Sequence, residues 1–177
     1  MGVSRSDPAL TMELLILRHA IAFPRDAKRW ADDAARPLTL EGTKRARRAA
    51  MGLKRVAKRP GLVLSSPLIR ARDTAATFAQ AARWPKAVEC VALSPGGSPE
   101  DVLEALRRQG GKAECVAVVG HQPHLGRLLA LCLRGDPRAE AFELKKSAVV
   151  CLQFEGTPRA GQGVLQWSLS PRILRKL

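Results

Sequence analysis

Aromatic residues are scarce in this chain of 177 residues, which has four phenylalanines, three tryptophans and no tyrosine. Long apolar runs are missing too, because no stretch approaches the roughly 18 residues that a membrane-spanning helix needs. The first strong apolar run is Leu14 to Leu17, and the segment before it lacks the charged, apolar and small-residue regions of a secretory signal. These absences argue against a membrane or secreted protein, and we expect a cytoplasmic one.

The sequence also lacks the cysteine and histidine spacings that are typical of disulfides and metal sites. The four cysteines lie far apart in or beside apolar stretches, without a C-x-x-C pair, at Cys90, Cys115, Cys132 and Cys151. Three histidines complete no recognisable set of metal ligands with nearby carboxylates or thiolates. Buried free thiols are therefore favoured over disulfide or metal-binding roles, and we expect neither a metal nor another cofactor.

Acidic residues are outnumbered, since 16 Asp and Glu face 30 Lys and Arg, for a net charge of +14. Such an excess attracts phosphorylated small molecules, acidic proteins or nucleic acid without choosing among them. Much of it falls in residues 41–59, where alanines and Leu53 recur at helical spacing, so we predict an amphipathic helix with its basic side in water. Few aromatics interleave with these cations and no recognised binding motif is present, so a nucleic-acid partner is disfavoured.

The remaining pattern alternates strand and helix. Apolar runs predict strands at 12–17, 62–64, 88–93 and 115–119, with two further extended segments at 147–154 and 163–169. Apolar periodicity and caps predict helices at 41–59, 67–82, 99–110 and 124–133, with Ser66 and Ser98 as caps of the second and third. We predict an α/β fold, with a flexible leader at 1–10 and one three-layer α/β/α domain at 11–177. Its sheet is mainly parallel with an antiparallel C-terminal addition.

Three of these strands end at residues that can bind or attack a phosphate, namely Arg18-His19, Ser65-Ser66-Pro67 and Gly120-His121. Parallel strands present their carboxyl ends along one edge of a sheet, where ligands bind. Phosphoryl transfer needs a nucleophile and several cationic donors, and a neutral imidazole can be that nucleophile. His19 is the better candidate because it directly follows a strand and has Arg18 beside it.

Four segments also carry a family resemblance: Arg18-His19-Ala20, Arg36-Pro37-Leu38-Thr39-x-x-Gly42, Ser66-Pro67-x-x-Arg70-Ala71-x-x-Thr74 and Gly120-His121-x-Pro123. In order and spacing they resemble the motifs of the histidine phosphatase superfamily, which has the phosphoglycerate-mutase-like fold. The agreement extends over residues 12–167. The short chain and the brief loop after His19 resemble the SixA-type branch, the phosphohistidine phosphatases.

The resemblance implies a phosphatase in which His19 is phosphorylated and Arg18 and Arg70 hold the phosphoryl oxygens. It further implies that His121 completes the pocket and that Arg36 is an additional phosphate or substrate contact. Ser65, at the end of the second strand, is a candidate for lining the phosphate pocket. The expected substrate bears a phosphate, with a histidine-phosphorylated protein as the form that the SixA-type branch implies.

The sequence departs from the family at two places. Ala20 stands where the family has glycine, a change of one methyl group that we expect the site to tolerate. The mutase-like members carry a proton-donating glutamate in a loop that here reads Ser94-Pro95-Gly96-Gly97, without a carboxylate. Glu100 and Asp101 are near, and capping of a helix is favoured over catalysis for them. Proton donors in the loop at Asp26, Asp32 or Asp33 stay open.

A missing acid favours phosphoramidate substrates, because an imidazole can leave phosphorus in neutral form if its other nitrogen carries a proton. We therefore predict a metal-independent phosphohistidine phosphatase with a covalent phosphohistidine intermediate. One alternative is a broad phosphatase for small phosphate esters or polyphosphorylated compounds. A second is a noncatalytic anion-binding module that uses the basic helix 41–59.

Overall fold

The computed structural model describes residues 11–111, 113–138 and 142–177. The leader predicted at 1–10 lies outside the described residues. The strands are β1 (Thr11–Arg18), β2 (Leu62–Ser65), β3 (Val88–Glu89), β4 (Cys115–Gly120), β5 (Val149–Glu155) and β6 (Val164–Leu169). The helices are α1 (Leu40–Val56), α2 (Ile69–Ala82), α3 (Pro99–Gly110), α4 (His124–Arg134) and α5 (Pro171–Leu174).

The six strands form one sheet in the order β3-β2-β4-β1-β5-β6. Strands β3, β2, β4 and β1 run parallel, whereas β5 pairs antiparallel with β1 and β6 pairs antiparallel with β5. The register pairs Arg18 with Gly120 and Ser65 with Val119, so the three motif-bearing strands are neighbours whose carboxyl ends are level. The predicted fold class is confirmed, and the candidate residues share one edge.

Each face of the sheet packs on its own layer of helices. Leu14 and Ile16 of β1 point into a core shared with α3 and α4, while Leu15 and Leu17 point into a core shared with α1 and α2. Every residue of β4 is buried, as a central parallel strand covered on both faces requires. The three-layer α/β/α arrangement therefore follows from β1, β2 and β4 being apolar on both sides.

The basic helix has the predicted amphipathic character and a shorter length. The Thr39 hydroxyl caps α1 by accepting from the Gly42 amide at 2.9 Å. The helix ends at Val56 rather than at 59, because Ala57 is extended and Pro60 disfavours helical conformations for the residue before it. Alanines of α1 are buried and its cations are exposed, which confirms the predicted orientation.

Two local predictions were wrong. Ser66 is not the cap of α2, which begins at Ile69 after an extended Leu68. The Ser66 hydroxyl instead accepts from the Leu68 amide at 3.3 Å, before the helix begins, and lies 2.8 Å from His121 Nε2. The strand predicted at 88–93 is limited to Val88–Glu89 and continues as a 3-10 turn at Val91–Leu93. The neighbouring strand β2 ends at Ser65, opposite Glu89, so the residues after Glu89 have no strand beside them to continue the pairing.

Other expectations hold, and one element was missed. All four cysteines are buried and free. Ser98 caps α3 by accepting from the amides of Glu100 and Asp101, as predicted. The short helix α5 was not predicted, although Ser170 caps it and Pro171 opens it, because four residues give no periodicity to read. In the described ranges, no helix is long and apolar enough to cross a membrane.

Candidate active site

His19 follows β1 directly and is 7% exposed. Its Nδ1 lies 2.7 Å from the carbonyl oxygen of Ala20. A carbonyl can only accept, so Nδ1 donates its proton and Nε2 keeps a free lone pair. Burial, with the positive charges of Arg70, Arg18 and Lys146, lowers the pKa of His19 to about 4. The ring is therefore neutral at pH 7 and has one nitrogen available for attack.

His121 follows β4 and lies beside His19, with 5.0 Å between the ring centroids and 52° between the ring planes. Its Nε2 is 2.8 Å from the hydroxyl of Ser66, at the end of β2. Burial is the main cause that lowers the pKa of His121 to about 3, and His19 and Arg70 add to the shift. The second imidazole is thus neutral as well and links the ends of β2 and β4.

Arg18 is held by the segment that leads into β5. A terminal guanidinium nitrogen of Arg18 donates to the carbonyl of Leu144, and the Ser147 amide donates to the Arg18 carbonyl at 3.1 Å. The same segment carries Lys146, and partial burial together with Arg18 and Arg36 lowers the pKa of its ammonium group. Two cations that lie far apart in the sequence, Arg18 and Lys146, therefore lie near each other at the end of β1.

Arg70 lies in the first turn of α2 and is 4% exposed. Its two terminal nitrogens bind Asp33, one to the backbone carbonyl at 2.7 Å and the other to the carboxylate at 3.1 Å. The same carboxylate accepts from Arg36 Nε at 2.8 Å. Arg36 also donates to the carbonyl of Phe23 at 2.6 Å. The loop between β1 and α1 thus brings Arg36 and Asp33 to Arg70.

Six buried side-chain polar atoms have no hydrogen-bond partner within the described residues, and three of them belong to residues expected in the site: Arg18 Nε, Arg70 Nε and His121 Nδ1. Leaving a buried donor unpaired costs about 1–3 kcal/mol, and more for a charged group. Two of these atoms belong to guanidinium groups, which bind phosphate and carboxylate oxygens well. The arrangement is that of an incomplete site for an oxyanion, next to a neutral nucleophile.

Comparison with known proteins identifies the family of this chain. A family model described as the histidine phosphatase superfamily, branch 1, matches residues 14–91. The phosphohistidine phosphatase SixA of Escherichia coli is 32% identical over 169 residues, which cover 93% of this chain and 97% of the relative.

The chain belongs to the histidine phosphatase superfamily.

Solved structures place it within the SixA-type group of that superfamily. A structure of the protein histidine phosphatase SixA complexed with tungstate is similar with a TM-score of 0.78 and 28% identity, covering 91% of this chain and 98% of that one. A structure assigned to SixA by name, from Nakamurella multipartitia, gives a TM-score of 0.76 at 25% identity, with coverage of 93% and 99%. These relationships support a phosphatase that acts on a phosphate-bearing substrate.

Among the residues expected of a SixA-type site, the structure brings Arg18, His19, Arg70 and His121 to one edge. Arg36 joins them through Asp33. Ser65 is buried, and its hydroxyl donates to the carbonyl of Ser66 at 3.0 Å. In the described part of the chain, no hydrogen bond connects the Ser65 side chain to the histidines or arginines of the site.

Four acids considered as proton donors have a hydrogen-bond or ion-pair partner in the structure. Asp26 accepts from the amides of Lys28 and Arg29, and Asp32 accepts from the amide of Ala34. The hydrogen bond from Arg36, with further contributions from Arg25 and Arg70, holds the pKa of Asp33 well below its usual range. Glu100 accepts from the Ser98 hydroxyl at 2.7 Å. Glu100 and Asp101 both lie in the first turn of α3, and Ser98 provides the cap.

Sequence reasoning missed four residues that shape the site. Asp33 was considered as an acid and is instead an ion-pair partner. Lys146 and Ser66 had no assigned contact with the pocket. The Thr74 hydroxyl accepts from the Ala20 amide at 2.9 Å and donates to the Arg70 carbonyl at 2.6 Å. Thr74 therefore ties the loop after His19 to the helix that carries Arg70, and its place in the family motif was the available signal.

Proposed function

We propose that this protein is a metal-independent phosphohistidine phosphatase that acts on a histidine-phosphorylated protein through a phosphorylated His19. Support for the phosphate pocket comes from the unpaired buried nitrogens of Arg18 and Arg70 next to the neutral His19 ring. Support for the substrate class comes from the names of the relatives and from the occupied carboxylates around the pocket. Tungstate, the ligand named for one relative, is a tetrahedral oxyanion like phosphate.

In the proposed first step, the lone pair of His19 Nε2 forms a bond to phosphorus while the bond from phosphorus to the substrate nitrogen breaks. The electron pair of the broken bond stays on that nitrogen, and the imidazole leaves neutral if its other nitrogen carries a proton. Arg18 and Arg70 stabilise the charge on the phosphoryl oxygens. The Ala20 carbonyl holds the Nδ1 proton and so stabilises the positive charge that develops on the His19 ring.

In the second step, water attacks phosphorus and the bond to His19 Nε2 breaks. Inorganic phosphate takes up the oxygen and both protons of that water and leaves as dihydrogen phosphate, and the electron pair returns to Nε2, which restores the neutral ring. His121 forms a wall of the pocket, positioned by its hydrogen bond with Ser66. Arg36 is proposed as a further contact for phosphate or substrate, and Ser65 as a lining residue through its place at the end of β2.

The observation that carries the choice of substrate is the state of the acids. Asp26 and Asp32 accept from backbone amides, Asp33 pairs with arginine, and Glu100 accepts from the Ser98 hydroxyl. His121 cannot replace them as an acid at pH 7, because its pKa is lowered to about 3. An alkoxide leaving group gains much from a positioned acid, whereas the imidazole of phosphohistidine does not need one.

The second candidate is a broad phosphatase for small phosphate esters or polyphosphorylated compounds. It is favoured by the four cations near the pocket, Arg18, Arg36, Arg70 and Lys146, which would bind a multiply charged anion well. A direct comparison of kcat/KM for a phosphohistidine protein, sugar phosphates and nucleotides separates the two. Our proposal requires the phosphohistidine protein to be the preferred substrate, and a preference for esters would overturn it.

Substitution His19→Ala tests the covalent step. We expect no phosphate release above background and no labelled phosphoenzyme trapped by denaturation without acid. The substitution removes the nitrogen that would form the bond to phosphorus. His124→Gln is the matched control: it also removes a buried histidine, at the start of α4, and should keep both signals. Undiminished release by the His19→Ala variant would sink the assignment.

A further inference from the structure

Asp33 is surrounded by positive charge at the phosphate pocket. Its carboxylate lies 2.8 Å from Arg36 Nε, 3.1 Å from a terminal nitrogen of Arg70 and 3.4 Å from Arg25 Nε. Arg70 is almost fully buried, whereas Asp33 retains 28% side-chain exposure. The carboxylate therefore occupies a place where arginine groups converge, at the boundary between the pocket and solvent.

The neighbouring acids of the same loop do something different. Asp26 and Asp32 accept from backbone amides of their own turns and form no ion pair with Arg36 or Arg70. Asp32 already caps the 3-10 turn at Asp33–Ala35, so the Asp33 carboxylate is not needed for that purpose. What distinguishes Asp33 is its charge next to the two arginines expected to hold phosphate.

A negative charge in this position opposes the binding of another anion. Arg70 and Arg36 are partly neutralised by Asp33, so a phosphate entering the pocket meets less positive potential than the cations alone would provide. The depressed pKa of Asp33 keeps this charge in place throughout the neutral range. A protein substrate can compensate through contacts outside the pocket, whereas inorganic phosphate has only the pocket to bind to.

We propose that Asp33 is a counter-ion that weakens the binding of the product, inorganic phosphate, and so favours its release. This inference rests on the phosphate-binding part of the proposed function and assigns Asp33 a specificity-determining role instead of a proton-donating one. Because this repulsion acts on every phosphate in the pocket, tight binding comes to depend on the contacts outside the pocket that only a protein substrate makes.

Asp33→Asn removes the charge with little change of shape. The backbone carbonyl of residue 33 still accepts from Arg70 at the position where it now lies 2.7 Å away, and the amide oxygen of asparagine can still accept from Arg36. Asp32→Asn is the matched control, because it changes the net charge by the same amount one residue away and asparagine is an equally good cap. Thermal unfolding of both variants verifies that they are folded.

The test measures the dissociation constant of inorganic phosphate by calorimetry at pH 7 and low ionic strength. We expect the value for Asp33→Asn to be about three- to tenfold lower than that of the unsubstituted protein, as for the loss of one nearby charge that is partly screened by solvent. Asp32→Asn should change it by less than twofold. Raising the salt concentration should shrink the difference between Asp33→Asn and the unsubstituted protein.

Unchanged or weaker phosphate binding by Asp33→Asn would overturn the inference, and weaker binding would show that Asp33 serves to hold Arg70 and Arg36 in place. An equal gain in Asp32→Asn would also contradict it, since the effect would then be one of net charge. If Asp33→Asn is unstable, Asp33→Ser removes the same charge and keeps an acceptor. Calorimetry needs no turnover, so its outcome is separate from the phosphoenzyme test of the proposed function.

Discussion

The protonation state of His19 decides whether the site can react, and burial sets that state. His19 and His121 have pKa values lowered to about 4 and about 3, mainly by loss of water around the rings. Both are neutral over the physiological range, and their cationic neighbours add to this effect because positive charge disfavours the protonated ring. A histidine in water, with a pKa near 6.5, would be partly cationic and unreactive toward phosphorus under mildly acidic conditions.

The pH dependence follows from this. We expect kcat/KM to stay level from pH 8 to about pH 5 and to fall below about pH 4, where His19 gains a proton. Stability changes earlier: between about pH 6.5 and pH 4 the unfolded chain binds protons that the folded histidines do not, so the free energy of unfolding decreases as pH falls. Initial rates and thermal unfolding recorded on the same samples separate the two. An acid limb near pH 6.5 would show that His19 is solvated.

At the same scale, the sequence predicted that four residues at motif positions would meet at one sheet edge. Arg18, His19, Arg70 and His121 stand at strand ends or one turn into a helix, so local pattern and family resemblance were enough. The contacts of Asp33 with Arg70 and of Ser66 with His121 bridge separations of 37 and 55 residues. No local pattern encodes such pairs, because they depend on how separate elements pack.

At the scale of elements, close backbone approach holds the loop after His19 against α1. A Cβ atom added to Gly42, in the first turn of α1, would lie 2.0 Å from the carbonyl oxygen of Ile21. Thr39 reinforces the same contact, since its amide donates to that carbonyl at 3.0 Å. The start of α1 therefore anchors the loop that carries Asp33 and Arg36 to the site.

Gly42→Ala tests this anchor. Alanine favours a helix by up to about 1 kcal/mol over glycine, but the overlap with a backbone carbonyl should outweigh that gain and destabilise the fold by about 1–3 kcal/mol. We also expect a higher KM, because the loop must shift. Gly61→Ala is the control, since its nearest contact would be an ordinary 3.4 Å. Thermal melts and KM values that match between the two variants would contradict the anchoring role.

Element boundaries show where sequence reasoning ended. Buried parallel strands such as β1 and β4 were predicted well, because a short continuous apolar run that ends at polar residues is typical of a strand covered on both faces. The segment 88–93 has a similar apolar character but lies at the sheet edge, where pairing with the short β2 limits the strand to two residues. The length of an edge strand depends on where its neighbouring strand ends. The residues of the edge segment itself carry no information about that end.

For the molecule as a whole, the net charge of +14 is not confined to the pocket, because the cations of α1 are exposed. The exposed side of α1 carries much of it, and within the described residues the ion pair there is Glu41 with Arg45 at 2.6 Å. A set of exposed cations along one helix attracts polyanions without selecting a sequence. This is the observation behind the alternative of a noncatalytic anion-binding module.

Salt dependence distinguishes the alternatives. We expect duplex DNA binding at about 20 mM salt that is lost by about 150 mM, and the double variant Arg47→Gln/Arg48→Gln should bind more weakly with a smaller salt slope. Turnover of free phosphohistidine should be the same for this variant and the unsubstituted protein. Sequence-selective binding that persists at about 150 mM salt and in His19→Ala would favour the binding module over the enzyme.

The strand order also sets when the site can form. Strand β4 lies between β1 and β2, so Arg18 and the helix that carries Arg70 come from strands that do not pair with each other. A nascent chain that has emerged from the ribosome only through α2 contains the nucleophile and both arginines, yet lacks the strand that joins them. The segment that holds Arg18 is translated later still, just before β5. We therefore expect phosphatase activity only from chains that extend at least through this segment, which truncated proteins assayed for phosphate release would test.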